Sequence, residues 1–388
     1  MILAMAENLK PYMTSLRREF HKYPEVSGKE YRTCGRIAEE LERAGIPYER
    51  TGETGIVGTI RGSRPGRTVA LRADMDALSV QELTEAPYRS QVPGVMHACG
   101  HDGHMAALLG AANILMQMRG ELCGNVRLFF EPAEETGGSL EQFEKAGWME
   151  GLDGCFAIHI WSGLPVGKIS CEAGARMAAT DLFQLTVRGK GGHASMPHEG
   201  VDALVAACAV VMNLQTIVSR ELSPLDAAVV TIGKMTAGQR FNTIADEAVL
   251  EGNLRSFDAK VREGYLEQIR RIGENTARAF RAECEVSLYR KGTPALVITE
   301  EAAAFTKRCI KKLFGAESIA ALPPVMGGED FAAFIEKAGG SFAFVGGGFA
   351  DGSKNFPHHH GMFDIDEDSL RIAAALYAQY ALDFCSER

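Results

Sequence analysis

Between positions 97 and 104 the chain reads His97-Ala98-Cys99-Gly100-His101-Asp102-Gly103-His104, which puts three histidines, a cysteine and an aspartate within eight residues. The apolar run Met105 to Met118 that follows predicts a helix, so these donors crowd a helix entrance. Their lone pairs suit a transition metal. A polar turn with Asp102 capping the helix would use the same residues, and capping and metal binding are compatible. The cluster constrains the fold because other chemistry-bearing groups also lie in or just after apolar, β-prone runs. Thr68 to Ala73 leads into Asp74 and Asp76, and Asn125 to Phe130 into Glu131, Glu134 and Glu135. Gly154 to Trp161 carries His159, and Phe342 to Gly348 precedes His358-His359-His360. Open α/β sheets carry their sites at the carboxyl ends of strands, and these runs fit that pattern.

Taken singly, these residues also have plain structural accounts. Asp74 and Asp76 can form turns, Glu134-Glu135 can be a solvated acidic loop, and His159 can be a core histidine. Their concentration argues for a constructed site: every histidine except His21 falls at 97–104, 159, 193–198 or 358–360. Adjacent carboxylates cannot share one face of a helix or strand, so Glu134 and Glu135 in a loop can divide their labour, one binding metal and one acting as base. A third metal-competent segment on a third strand makes His159 a ligand candidate, while His21 reads as structural.

The formal net charge of -9 argues against nucleic acid and anionic membrane as partners. No stretch has 18 unbroken apolar residues, and the start, Met1 to Glu7, lacks the basic and apolar regions of a signal peptide; a cytoplasmic location is expected. Nine cysteines without framework spacing fit free thiols. Gly163 to Ser170 fails the spacing of a phosphate loop, since Lys168 is followed by Ile169.

With 388 residues the chain is long enough for two domains. Residues 178–288 have their own rhythm: a strand at Asp181 to Arg188, a Gly-rich loop through His193, a helix over Val201 to Arg220, strands at Ala227 to Lys234 and Glu247 to Arg255, and a helix over Ala259 to Arg281. That order predicts an α+β sandwich inserted into an α/β domain made of 1–177 and 289–388.

His21-Lys22-Tyr23-Pro24-Glu25, Arg72-Ala73-Asp74-Met75-Asp76-Ala77-Leu78, His97 to Asp102, Glu131-Pro132-Ala133-Glu134-Glu135, Gly189-Lys190-Gly191-Gly192-His193-Ala194, Gly327-Gly328-Glu329-Asp330-Phe331 and the terminal histidines occur in one order along nearly the whole chain. In these motifs the sequence resembles the amidohydrolase branch of the metal-dependent aminoacylase and carboxypeptidase family, which includes hippurate hydrolases, N-acetyl-amino-acid deacetylases and auxin-conjugate hydrolases. The resemblance implies a catalytic domain with a mixed sheet flanked by helices, and an inserted lid and dimerisation domain. It implies two divalent ions per subunit (zinc, manganese, cobalt or nickel) held by Cys99, His101, Glu135, His159 and His359, with Glu134 as general base. His358 stands where the family usually has an aliphatic residue and Gly361 where it usually has proline, so His358 and His360 are alternatives to His359. His193 matches a histidine that binds the substrate carbonyl from the partner subunit's lid, and Asn242, Arg255 and Gly328 match substrate-holding positions. The implied activity is hydrolysis of the amide of an N-acyl amino acid by a homodimer or tetramer. Two other readings of the residues stay open: a cysteine hydrolase using Cys99 with His101 or His104, and a metal-holding protein without turnover.

Overall fold

The computed structural model describes residues 1–290, 292–352 and 354–387. It divides into two compact units: one comprises Met1–Gly174, Val297–Pro323 and the chain from Ala333 onward, the other Ala175–Leu296 and Pro324–Ala332. The second unit is therefore wider than 178–288, and Gly328 lies in it. Hydrogen bonds show why. The amides of Ala178 and Val325 donate to Gly327 and Arg176 carbonyls, and that of Gly292 to the Asp181 carboxylate, tying both outlying segments to the unit's strands.

In the first unit the strands are β1 (Tyr48–Thr51), β2 (Gly55–Arg61), β3 (Arg64–Asp74), β4 (Cys123–Glu131), β5 (Gly154–Pro165), β6 (Ile169–Ser170) and the strand Gly340–Gly348. They form one sheet ordered β1-β2-β4-β3-β5, then Gly340–Gly348, then β6. The four central strands, β4, β3, β5 and Gly340–Gly348, run parallel, and β1, β2 and β6 are antiparallel to their neighbours. Side chains alternate across a strand. Val69, Leu71 and Ala73 of β3, Val126, Leu128 and Phe130 of β4, and Phe156, Ile158 and Ile160 of β5 all enter one core with helices α1 (Ile2–Lys22), α2 (Tyr31–Arg43), α3 (His101–Gln117) and Asp368–Ser386. Phe129, on the opposite face, meets Phe143 and Phe334 edge-on at 5.1 and 5.6 Å. A sheet covered on both faces explains why its strands read as apolar runs. Burying a phenylalanine such as Phe130 contributes about 1.5–3 kcal/mol.

α3 is buried almost all round, every residue from His101 to Ala112 included. A side chain at Gly103 would put its Cβ 2.9 Å from Ile160 and Ile365, so only glycine lets the helix lie this close. The β3–β5 ladder stops at Arg72 and Ala157. Beyond it the Ile158 amide donates to the Tyr377 hydroxyl (3.3 Å), which donates to the Arg72 carbonyl (2.5 Å), and the Ile160 amide donates to His104 Nε2 (2.8 Å). The backbone is satisfied while the strands part.

The second unit is an antiparallel sheet ordered Ala228–Ala237, Glu247–Ser256, Ala179–Arg188, Glu283–Arg290, with helices Ala203–Leu214 and Ala259–Ala279 packed on one face. Asp202 and Asp258 cap these helices, each carboxylate accepting two first-turn amides. The helix expected over 201–220 ends at Leu214 and continues as a π turn, Ile217–Glu221. There the Thr216 and Ser219 hydroxyls donate back to the Asn213 and Gln215 carbonyls, competing with the helical ladder. Ala203–Glu221 is the one stretch among the described residues long and apolar enough to cross a membrane. Ala203, Ala206, Ala207, Val210, Leu214 and Ile217 are instead spent on the unit's own core.

Candidate metal centre and active site

The first unit's donors converge at the carboxyl edge of the sheet, where the pairing of β3 with β5 ends. Gly100, with φ +94, turns the chain into α3 through a conformation that favours glycine. The turn delivers Cys99 and His101 together. Ligand atoms of Cys99, His101 and His159 lie within 4.8 Å of one another, as do those of Cys99, Glu135 and His359 and those of His101, Glu134 and Glu135. Cys99 Sγ is 3.5 Å from His159 Nε2, Glu135 Oε1 is 3.1 Å from His359 Nε2 and 3.9 Å from His101 Nε2.

Hydrogen bonds fix which nitrogen of each ring faces inward. His101 Nδ1 donates to the Asp76 carbonyl (2.9 Å) and His159 Nδ1 to the Ile160 carbonyl (2.9 Å), so in each ring Nε2 is the nitrogen left for a metal. His104 has no nitrogen to spare: Nε2 accepts the Ile160 amide and Nδ1 donates to Asp74 Oδ1 at 2.6 Å. His360 stacks on Phe356 and its Nδ1 accepts the Met362 amide. His358 Nε2 accepts the Ser162 amide at 3.3 Å.

The electrostatics suit a cation. Burial alone would lower the His101 pKa, but Asp74, Asp76 and Glu135 outweigh it and hold the imidazole up at about 10. Burial pushes the Cys99 thiol well up, with Glu135, Glu134 and Asp74 adding to the effect, and pushes His159 well down. His101 Nε2 and Glu135 Oε1 are buried atoms without a hydrogen-bond partner. Soft and hard donors that converge, with two of their buried atoms lacking a hydrogen-bond partner, fit a divalent metal. A cysteine nucleophile needs a depressed pKa, so the raised thiol argues against the cysteine-hydrolase reading.

The supporting shell was legible from residue types only at Asp74 and Asp76. Asp76 accepts the amides of both Glu134 and Glu135 at 3.1 Å and the Ser27 hydroxyl at 2.6 Å. Glu30 grips the same loop through the Ala133 amide (2.9 Å). Three non-glycine residues among those described have positive φ, and two flank the centre: Ala133 at 60° and His359 at 66°. Strained backbone of this kind persists where surroundings enforce it, commonly at functional sites. The pairing of Asp74 with Asp76 at a strand end was the sequence signal for this shell.

The other site candidates lie in the second unit, in two groups. Thr243 pairs with His193, and the Ala194 amide donates to the Asn242 carbonyl, which brings His193 and Asn242 together. His193 Nδ1 accepts from the Ser195 amide (3.1 Å), so its proton sits on Nε2. Arg255 pairs with Thr180, and its Nη1 donates to the Met326 carbonyl (2.8 Å). A Cβ on Gly328 would lie 2.7 Å from Thr180 Oγ1, so Arg255 and Gly328 share a neighbour.

Residues 70–383 match the family described as peptidase family M20/M25/M40. The chain belongs to this family. It is 38% identical over 383 residues to thermostable carboxypeptidase 1 of Saccharolobus solfataricus, covering 98% of this chain and 97% of that one. It is 38% identical over 363 residues to the N-acetyl-L-cysteine deacetylase of Bacillus subtilis, covering 93% and 85%. Among solved structures, the Bacillus subtilis YXEP protein, a dinuclear metal-binding peptidase of the M20 family, superposes with a TM-score of 0.84 at 32% identity, covering 98% and 99%. Membership makes this M20 chain a hydrolase of the metal-binding, amidohydrolase type, and its α/β fold with a mixed, helix-flanked sheet agrees with the sequence reading.

Proposed function

We propose that this M20 protein hydrolyses the amide bond of N-acyl amino acids, with Cys99, His101, Glu135, His159 and His359 holding two divalent ions and Glu134 as general base. The observation that carries this reading is the convergence of those donors around the orphaned His101 Nε2 and Glu135 Oε1. Zinc, manganese, cobalt and nickel all suit a mixed sulfur, nitrogen and oxygen set. Bound there, a pair of such ions supplies Lewis acidity to water and to the amide carbonyl.

The chain's own residues do the rest. Glu134 takes a proton from the attacking water and returns it to the leaving amine, a contribution of about 100- to 10,000-fold. His193 donates its Nε2 proton to the developing oxyanion with Asn242 beside it, and Arg255 holds the substrate carboxylate with Gly328 beside it. The deacetylase relative supports an N-acyl amino acid, and acetyl, benzoyl and indole-type acyl groups all remain candidates; the carboxypeptidase relative makes peptides the competing substrate class.

A panel of N-acyl amino acids and dipeptides, assayed with added zinc and manganese, tests the substrate. Glu134→Gln should retain metal and lose at least about 100-fold in turnover, while Glu135→Ala should lose metal. Metal loss in Glu134→Gln would exchange their roles. Hydrolysis of dipeptides but of no N-acyl amino acid would replace the substrate reading.

The same reading includes a homodimer formed through the second unit. Leu204, Val205 and Met212 are exposed on the helix Ala203–Leu214, 40%, 48% and 70% respectively, an apolar stripe that a second copy would cover. If His193 serves the partner's centre, inactive His193→Ala and Glu134→Gln homodimers should regain up to about half of the sites when mixed. Verified subunit exchange without recovered activity would confine His193 to its own subunit.

A further inference from the structure

His358 is adjacent to a proposed ligand, yet the geometry leaves it no lone pair to offer. The Ser162 backbone amide can only donate, so His358 Nε2, 3.3 Å away, is the acceptor and carries no proton. A ring so bonded is neutral and has its proton on Nδ1. That nitrogen lies 3.8 Å from Cys99 Sγ, within hydrogen-bond range of a sulfur, and the Cys99 backbone carbonyl is the competing acceptor. The ring cannot readily turn away. Trp161 lies against it at 4.4 Å between centroids, Phe363 at 4.9 Å and His159 at 5.0 Å.

Two of the rings around the sulfur therefore offer it different groups. On one side is His159 Nε2, a lone pair, because His159 Nδ1 is committed to the Ile160 carbonyl. On the other is the His358 Nδ1–H, a donor. A lone pair suits a thiol proton or a metal shared between the two residues, whereas the N–H suits the negative charge of a thiolate. The geometry assigns His358 as a positioning residue that donates its Nδ1–H to the Cys99 thiolate, orienting the sulfur and withdrawing charge from it when it ligates metal. This rests on the proposed function only in taking Cys99 as a metal ligand. It also explains how two adjacent histidines differ: His359 turns its Nε2 toward Glu135 through a left-handed backbone, and His358 supports a ligand from behind.

The experiment loads the full chain with cobalt(II) and reads the sulfur-to-cobalt charge-transfer absorption, the cobalt bound per chain and the cobalt affinity. A hydrogen bond to a thiolate lowers the energy of the sulfur lone pairs, so its removal moves the band to longer wavelength. His358→Leu and His358→Gln should show that shift, bind the same number of cobalt ions, and lose about tenfold in affinity, as supporting residues of metal ligands do. His358→Asn places an amide nitrogen near the former Nδ1 and should hold the band near its wild-type position. The polar Asn and Gln variants keep the comparison valid should leucine disturb folding. A lost cobalt in His358→Leu or His358→Gln would make His358 a ligand and overturn the assignment. A wild-type band that stays in place in both the Gln and Leu variants would make the ring a packing residue and also overturn it. Absence of any sulfur-to-cobalt band in the wild type would instead remove Cys99 from the ligand set, so failure of the underlying reading is distinguishable from failure of this one.

Discussion

Asp76 touches none of the reacting atoms, yet it holds the loop that carries both proposed glutamates. Its carboxylate accepts hydrogen bonds from the amides of Glu134 and Glu135, each at 3.1 Å, and from the Ser27 hydroxyl, and its backbone carbonyl accepts one from His101 Nδ1. Burial would raise its pKa, but hydrogen bonding to His101 and the charge of that ring lower it, so Asp76 is ionised at neutral pH. Hydrogen bonds to a charged group contribute about 1.5–3 kcal/mol each. Asp76→Ala removes two such bonds to backbone and should cost about 3–6 kcal/mol of stability. Asp76→Asn keeps the volume and one acceptor oxygen, but its amide nitrogen must face one of the two N–H groups. It should therefore lose about half as much, and metal affinity should fall about 10- to 100-fold because Glu135 is no longer held in place. Urea unfolding gives the stability and competition with a chelator gives the affinity. An Asp76→Asn protein within about twofold of wild-type affinity would refute the argument, since the loop would then be held without the carboxylate.

Metal uptake should release protons. The Cys99 thiol is pushed well up and His101 sits at about 10, so both carry protons at neutral pH that a metal must displace. Calorimetry in buffers of different ionisation enthalpy should find about two protons released per chain at pH 7, with affinity rising as pH rises; release of about one would remove one of the two groups from the ligand set. A second pH effect concerns the buried pair Arg17–Asp102, 2.8 Å apart with both side chains fully buried. Burial opposes ionisation of Asp102, but Arg17 and His21 hold its pKa down, and burial opposes protonation of His21, but Asp102 raises it. The Asp102 contribution is present above its unfolded pKa of about 4 and is lost as pH falls through the depressed folded value; that of His21 is present below about 6.5 and lost as pH rises through the raised one. The stability deficit of Asp102→Asn should therefore be greatest, about 3–5 kcal/mol, between about pH 4 and 6.5. An equal deficit at pH 9 would show that His21 takes no part.

Much of the catalytic unit was legible because its strands are apolar, bounded and followed by polar groups. The strand expected at Asn125 to Phe130 is Cys123–Glu131, and that at Phe342 to Gly348 is Gly340–Gly348. The β1 strand was missed: Tyr48-Glu49-Arg50-Thr51 has an exposed middle, and only pairing with β2 makes it a strand. The helix expected to begin at Met105 starts at His101, because the donor cluster forms its first turn instead of a loop before it. Spacing could bring candidates to one edge of the sheet, but it could not say which nitrogen of a histidine faces inward. That depends on carbonyls and amides such as those of Asp76, Ile160 and Ser162, which every residue type supplies alike.

The three terminal histidines show where sequence reasoning stops and why. As residue types they are equivalent, and each could ligate metal. The structure separates them through backbone geometry: His359 adopts a φ of 66°, its amide donates to the Ala98 carbonyl at 2.8 Å, and its Nε2 then meets Glu135. His358, one residue earlier, meets Ser162 and Cys99, while His360 stacks on Phe356. These contacts sort one candidate ligand from two supporting rings, and the left-handed backbone at His359 is the conformation in which its Nε2 meets Glu135. The Ala98–His359 hydrogen bond also joins the two segments that contribute Cys99 and His359, more than two hundred residues apart in sequence, so the ligand geometry is set by the same backbone contact that selects the ligand.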